Sequence, residues 1–404
     1  MRPSASADGG GSRAEGVTIG GPRRGWLQAT LAILTLLVVA GALSHDRYGG
    51  GIGWTKDGLF LEARTLQITQ GVSEHAALEQ VFFVNPLPRR LAEREALLGP
   101  GKRRAADPRW VDYSAQFYRR RWLVPALAAA TYPSGDAHGL ETVSLVGYLL
   151  LGPLLFLLLR RRFSVAASLA VAAACILLEP VRDWSFRPLT ESWGLALEIG
   201  SLLAAALVLE RGLRWLPAWI ACMVLLSVTR DATIVLVAAT AIVALADRSR
   251  TTLVLFASGL VAAVPAPLLF GAPLLDQLAY AANGFYIPQS TSIGSVAGDY
   301  LPALGRVLEG NFDYALHNPL TAAVFLGGMG LLLFLSPRGD PFFRLARWSL
   351  LGCALLLAIA LNPTNFRLEL VLVPLVAVGL ALGCERAAGA MRALRPRARA
   401  NEAT

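Results

Sequence analysis

The chain has 404 residues, 55% of them hydrophobic and 16% charged, with a formal net charge of +9. That balance, spread over several apolar runs of membrane-spanning length, excludes an ordinary soluble globular domain. The arginines lie in short loops and tails instead of being interleaved with aromatics on one soluble surface, which argues against nucleic acid as a partner.

Taken in chain order, residues 1–25 are rich in Gly, Ser and Arg, lack apolar periodicity and read as a disordered N-terminus. Residues 26–44 form the first long apolar run. Its end, Ala40-Gly41-Ala42, resembles a signal-peptidase site. The apolar core is longer than a signal peptide's and starts late, so an uncleaved first span is expected. Further spans are expected at 143–159, 163–178, 189–209, 216–228, 232–246, 251–270, 320–335, 348–361 and 368–383, which makes ten. The fold class is therefore all-α and polytopic. A transmembrane domain covers residues 26–384 and a basic tail follows from 385.

Arg23-Arg24, Arg160 to Arg162, Arg211 with Arg214, Arg248 with Arg250, Arg338 to Arg347 and the tail from Arg386 all fall on one side of these spans. The positive-inside rule makes that side cytoplasmic, with both termini, in what reads as a bacterial plasma membrane. Two long segments, 45–142 and 271–319, then face outward. The first contains several arginines of its own, but long loops translocate largely regardless of charge.

This topology bears on Thr229-Arg230-Asp231, charges set between two apolar runs. One helix over 215–246 would be about 48 Å long, too long for a ~30 Å hydrocarbon core. Two short helices with an outward turn are preferred. Polar residues collect at the same outward span ends: Asp46, Asp57 and Glu62 after span one; Arg182, Asp183, Arg187 and Glu191 between spans three and four; Asn362, Asn365 and Arg367 before span ten. Arginines suit phosphate oxygens and a carboxylate suits a hydroxyl proton, so such a set fits a lipid-linked phosphate.

The patches DGLFLEARTL, QFYRRRWLVPALA, RPLTESWGLAL, TRD and NPTNFRLELVLVP, in this order from Trp26 to Gly383, resemble the GT-C superfamily of polytopic glycosyltransferases. The resemblance implies a large first outward loop with a catalytic aspartate and a polyprenyl-phosphate sugar donor. It also implies an extracytoplasmic glycan, lipid or protein acceptor. On that likeness Asp57 matches the aspartate and Asp46 is the fallback; Arg182, Arg187, Glu191, Arg230, Asp231 and Arg367 form the substrate-binding set. Asp46 and Asp57 stand eleven apart, so no paired acidic motif of the DxD kind follows span one. No cofactor is expected, and the question of a divalent metal stays open.

Plainer roles exist for each feature. Asp57 suits a turn or a helix N-cap. Glu62 suits a pair with Arg64 or solvent. Gln116 to Arg121 suits either an interfacial helix or substrate contact. Thr190 suits a cap, Glu191 the positive end of its helix and Glu198 a buried pair with an arginine. Arg230 suits a pair with Asp231 or with carbonyls at the helix break. Tyr286, Tyr300, Tyr314 and Phe285 suit an aromatic belt or acceptor contacts. The four histidines and four cysteines lack metal-ligand spacing, and no disulfide frame is indicated. The rival functions are a transporter or flippase for a lipid or anionic solute, and a nonenzymatic partner in envelope assembly.

Overall fold

The computed structural model describes residues 22–49, 54–84, 107–132, 138–361 and 367–401. Within them the regular structure is helical, with no strand. The α-helices are α1 (Pro22–Gly49), α2 (Lys56–Gln70), α3 (Glu74–Glu79), α4 (Pro108–Ala115), α5 (Leu123–Thr131), α6 (His138–Leu159), α7 (Val165–Leu177), α8 (Glu179–Ser185) and α9 (Glu191–Arg211). They continue as α10 (Leu216–Ser227), α11 (Thr233–Asp247), α12 (Arg250–Ala263), α13 (Pro265–Phe270), α14 (Leu274–Ala282), α15 (Ile293–His317), α16 (Pro319–Leu335), α17 (Pro341–Ala360) and α18 (Val373–Asn401).

Among the described residues, six stretches are long and apolar enough to cross a membrane, and eight are if each of two bent pairs counts as one span. The bends fall where the chain loses an amide donor. α7 and α8 meet at 61° beside Pro180, and α15 and α16 at 112° at Asn318-Pro319. The break inside 215–246 is present: α10 ends at Ser227 and α11 starts at Thr233, both shorter than an upright crossing needs.

α9 is the central helix. Leu195, Ile199, Leu202, Ala205, Ala206 and Val208 on it are all buried, packed among α6, α10 and α17. At the edge, α1 buries Ala32, Leu36 and Ala40, one side of the helix at four-residue spacing, and turns Trp26, Leu31 and Val38 outward. A helix apolar all round with one face left open suits lipid as its surroundings. α16 and α18 cross closely at Gly328 and Gly379, where a Cβ on Gly379 would collide with the backbone of Gly328.

Alternating helix directions give the bundle two chemically distinct ends. One end carries the C-termini of α6, α9 and α11 and the N-terminus of α17. There Arg162 bonds Asp340 at 2.7 Å, Arg161 pairs with Glu210, and Arg344 pairs with Asp247. The Ser164 amide donates to Glu385 at 2.6 Å. The basic loops of the sequence converge on this end. The other end carries the N-termini of α6, α9, α11 and α18, capped by α2, α4 and α5 from one long segment and by α14 and α15 from the other.

Candidate functional site

The second end encloses a cavity of about 420 Å³. Asp57 reaches it from the first turn of α2. The helix is capped by Thr55, whose hydroxyl accepts from the Gly58 amide at 3.4 Å, so Asp57 is not the N-cap and its carboxylate is left for other contacts. That carboxylate is ion-paired to Arg367, just ahead of the last span. Arg367 also reaches Glu191 at the start of α9, with Nε 2.5 Å from the carboxylate. One guanidinium thus joins residues 310 and 176 positions away in sequence.

Burial alone would raise the Asp57 carboxyl. The Arg367 charge, a hydrogen bond from the Tyr118 hydroxyl, and the Lys56 and Arg121 charges overcome it and hold the group well below the usual carboxylate range. Burial and the same carboxylate push Tyr118 far above its ordinary value, so it stays a donor. Arg367 itself is shifted upward: burial works against its charge, and Glu191 and Asp57 outweigh burial.

Arg230 and Asp231 both line the cavity, yet each has its nearest partner elsewhere. Arg230 lies 3.9 Å from Glu191, and Asp231 is paired with the buried Arg120. Gly194, one helical turn after Glu191, makes room for Arg230: a Cβ there would collide with the Arg230 side chain. Arg187 and Arg367 both stand over the Trp184 ring, at 4.6 and 5.2 Å from its centre. Cation–π attraction to that ring holds two like charges beside each other.

Of the residues picked out in the sequence, Asp57, Arg187, Glu191, Arg230, Asp231 and Arg367 meet at this cavity. Arg182 does not line it. Asp46, in the last turns of α1, has its side chain outside the described residues, as do Asn362 and Asn365 altogether. Thr190 occupies the position before α9 without making a capping bond, and its hydroxyl is buried without a hydrogen-bond partner among the described residues. Glu62 is buried rather than paired with Arg64, which instead lies 3.5 Å from Glu74. Glu198 is buried in α9.

Sequence reasoning missed Lys56, and it left Gln116 to Arg121 open between an interfacial helix and substrate contact; Tyr118, Arg120 and Arg121 of that run line the cavity. The run QFYRRRW divides in space: Arg119 turns out to Glu74 at 2.8 Å, Arg120 takes Asp231, and Arg121 stacks 4.7 Å over Tyr118. Three arginines in a row cannot all face one way on a turn, and nothing in the string tells which faces inward. Aromatic side chains also line the cavity, Trp110, Phe117, Tyr280 and Phe285 among them. Trp110 donates to the Phe285 carbonyl at 2.9 Å, and Ser114 and Tyr280 share a hydrogen bond of 2.8 Å. Tyr286 is turned outward, half exposed.

Among the described residues, six basic side chains line the cavity (Lys56, Arg120, Arg121, Arg187, Arg230 and Arg367) against three carboxylates, Asp57, Glu191 and Asp231. Basic side chains thus outnumber acidic ones in the described lining. Arg120, Arg230 and Arg367 among them are buried, and buried cations are favoured where an anion shares the space. Among the described residues, no group of three or more His, Cys, Asp or Glu is placed to hold a metal ion. Comparison with known proteins finds no family model and no curated protein that matches this chain.

Proposed function

We propose that the chain is a membrane glycosyltransferase of the GT-C kind, moving a sugar from a polyprenyl-phosphate donor to an extracytoplasmic acceptor. The observation that carries this reading is the excess of basic over acidic side chains in the described lining of the cavity, around one fixed carboxylate, Asp57. A phosphate of the donor offsets that surplus, and guanidinium groups suit its oxygens. In this reading the bundle crosses the bilayer ten times, α10 and α11 included, with the basic end cytoplasmic and the cavity outside.

Asp57 cannot serve as a base while it is paired with Arg367. The donor phosphate takes over the Arg367 guanidinium, and the freed carboxylate accepts the proton of the acceptor hydroxyl. The acceptor oxygen then bonds the sugar's anomeric carbon as the bond from that carbon to the phosphate oxygen breaks. The electron pair leaves on the polyprenyl phosphate, whose growing negative charge Arg187, Arg230 and Arg367 stabilise.

The placement of the cavity supports a transferase over a transporter: the site opens at one end of the bundle, and the opposite end is tied by the Arg162–Asp340 and Arg344–Asp247 pairs. The gathering of charges from five separate segments speaks against a purely structural partner. The test is transfer of radiolabelled sugar from a synthetic polyprenyl-phosphate donor by purified protein in nanodiscs, supplied with a cell-envelope extract as acceptor source. Label in product that needs Asp57 supports the reading. In a parallel assay in sealed proteoliposomes, label that crosses the bilayer still attached to its lipid makes the protein a flippase instead.

A further inference from the structure

α15 is a helix with three faces. Val296, Ala303 and Val307 are buried, and Ala303 and Val307 with Ala281, Ala282 and Leu361 make a small core separate from the main one. Asp299, Arg306, Asp313 and His317 form a polar stripe. The third face is apolar and open: Leu301, Leu308, Phe312 and Leu316 are each more than 60% exposed. At 100° per residue these four fall within about 80° of one another, a continuous stripe with Ala297 and Gly305 in line.

α16 leaves α15 at 112°. If α16 crosses the bilayer, α15 lies close to the membrane plane. The open stripe of α15 runs through Leu316 into Leu320, Leu326 and Phe334, the exposed apolar side chains of α16. The surface that lipid covers on the crossing helix therefore continues onto the flat one.

We infer that α15 lies in the headgroup layer of the leaflet on the cavity's side, with Leu301, Leu308, Phe312 and Leu316 among the acyl chains and the Asp299–Asp313 stripe in water. Its partner is the lipid surface itself. The inner face ties that surface to the cavity. Arg306 donates to the Ala282 carbonyl at 2.7 Å and Tyr300 to the Ala358 carbonyl at 3.0 Å, and the neighbouring Ala281 and Ile359 line the cavity. The depth of α15 in the leaflet thus fixes the level of the cavity's α14 wall, whatever reaction the cavity performs.

Nitroxide labels in nanodiscs of phosphatidylcholine and phosphatidylglycerol test this, with Cys222→Ser and Cys384→Ser removing the accessible native thiols. Labels on Leu308→Cys and Phe312→Cys should collide several-fold more with dissolved oxygen than with a water-soluble nickel chelate. Asp299→Cys and Asp313→Cys should show the reverse. Gly305→Cys, where an added Cβ meets nothing, reports on the same open face should the larger replacements disturb folding. Equal nickel access on both stripes places the helix in water and overturns the inference. Exclusion of both reagents from the apolar stripe means that protein covers it, and overturns it equally.

Discussion

Arg367 bridges Asp57 and Glu191 inside the protein, so its removal takes the closest cation from two carboxylates at once. Breaking a buried pair from one side costs roughly 3–5 kcal/mol. Arg367→Gln should therefore destabilise far more than the paired change Arg367→Gln with Asp57→Asn, a non-additivity that thermal melts of the three variants would show. Asp57→Asn alone keeps the shape and removes the proposed base. Sugar transfer should fall by about 10²–10⁴, and binding of a short polyprenyl phosphate should persist, as measured by calorimetry. The same residue fixes an acid limb. Unfolded, its carboxyl protonates near about pH 3.9; folded, Arg367 and Tyr118 hold it ionised to lower pH. Its contribution to stability is complete above the unfolded value and is lost as acidity carries the pH down through the folded one. Asp57→Asn should flatten the decline of melting temperature below about pH 4 relative to the parent chain.

Among the elements, α9 does most to build the site. It brings Glu191 to Arg367, and one turn on, its missing side chain at Gly194 admits Arg230. Gly194→Ala is favourable for helix propensity by about 1 kcal/mol, yet its methyl group occupies the space of the Arg230 side chain. The expected outcome is a helix that forms normally and a cavity whose affinity for a lipid phosphate drops about tenfold, the loss of one charge-assisted contact. Unchanged affinity would mean that Arg230 does not touch the anion. The existence of α9 was plain in the sequence from Pro188 onward, as was the α10–α11 break. The roles of α2, α4 and α5 were not: they are too short and too mixed for periodicity to show which face turns inward, and the turn between α4 and α5, with Tyr118 and Arg121, stayed open between an interfacial and a substrate-contacting role.

At the scale of the whole molecule, charge is sorted by end. The basic end is stitched by partly exposed pairs, each worth roughly 0–1 kcal/mol; Asp340 also caps α17 by accepting from the Phe342 amide, so Asp340→Ala should cost about 1–2 kcal/mol, most of it the lost cap, read as a lowered melting temperature. The cavity end concentrates positive charge out of water. Farnesyl phosphate should therefore raise the melting temperature and farnesol, with the same chain and no charge, should not; equal effects from both would remove the anion from the reading. Composition and apolar run length by themselves determined a polytopic helical chain with its arginines in short loops on one side, because transfer to lipid depends on local hydrophobicity over a window of about 20 residues. They also marked Asp57, Glu191, Arg230 and Arg367 as charges at span ends. Only the tertiary structure decided that Arg367 takes Asp57 and Glu191, that Asp231 takes Arg120 and not its neighbour Arg230, and that Arg182 stays apart. Those pairings depend on helix rotation and on close approach between segments hundreds of residues apart, which no local pattern in the string encodes.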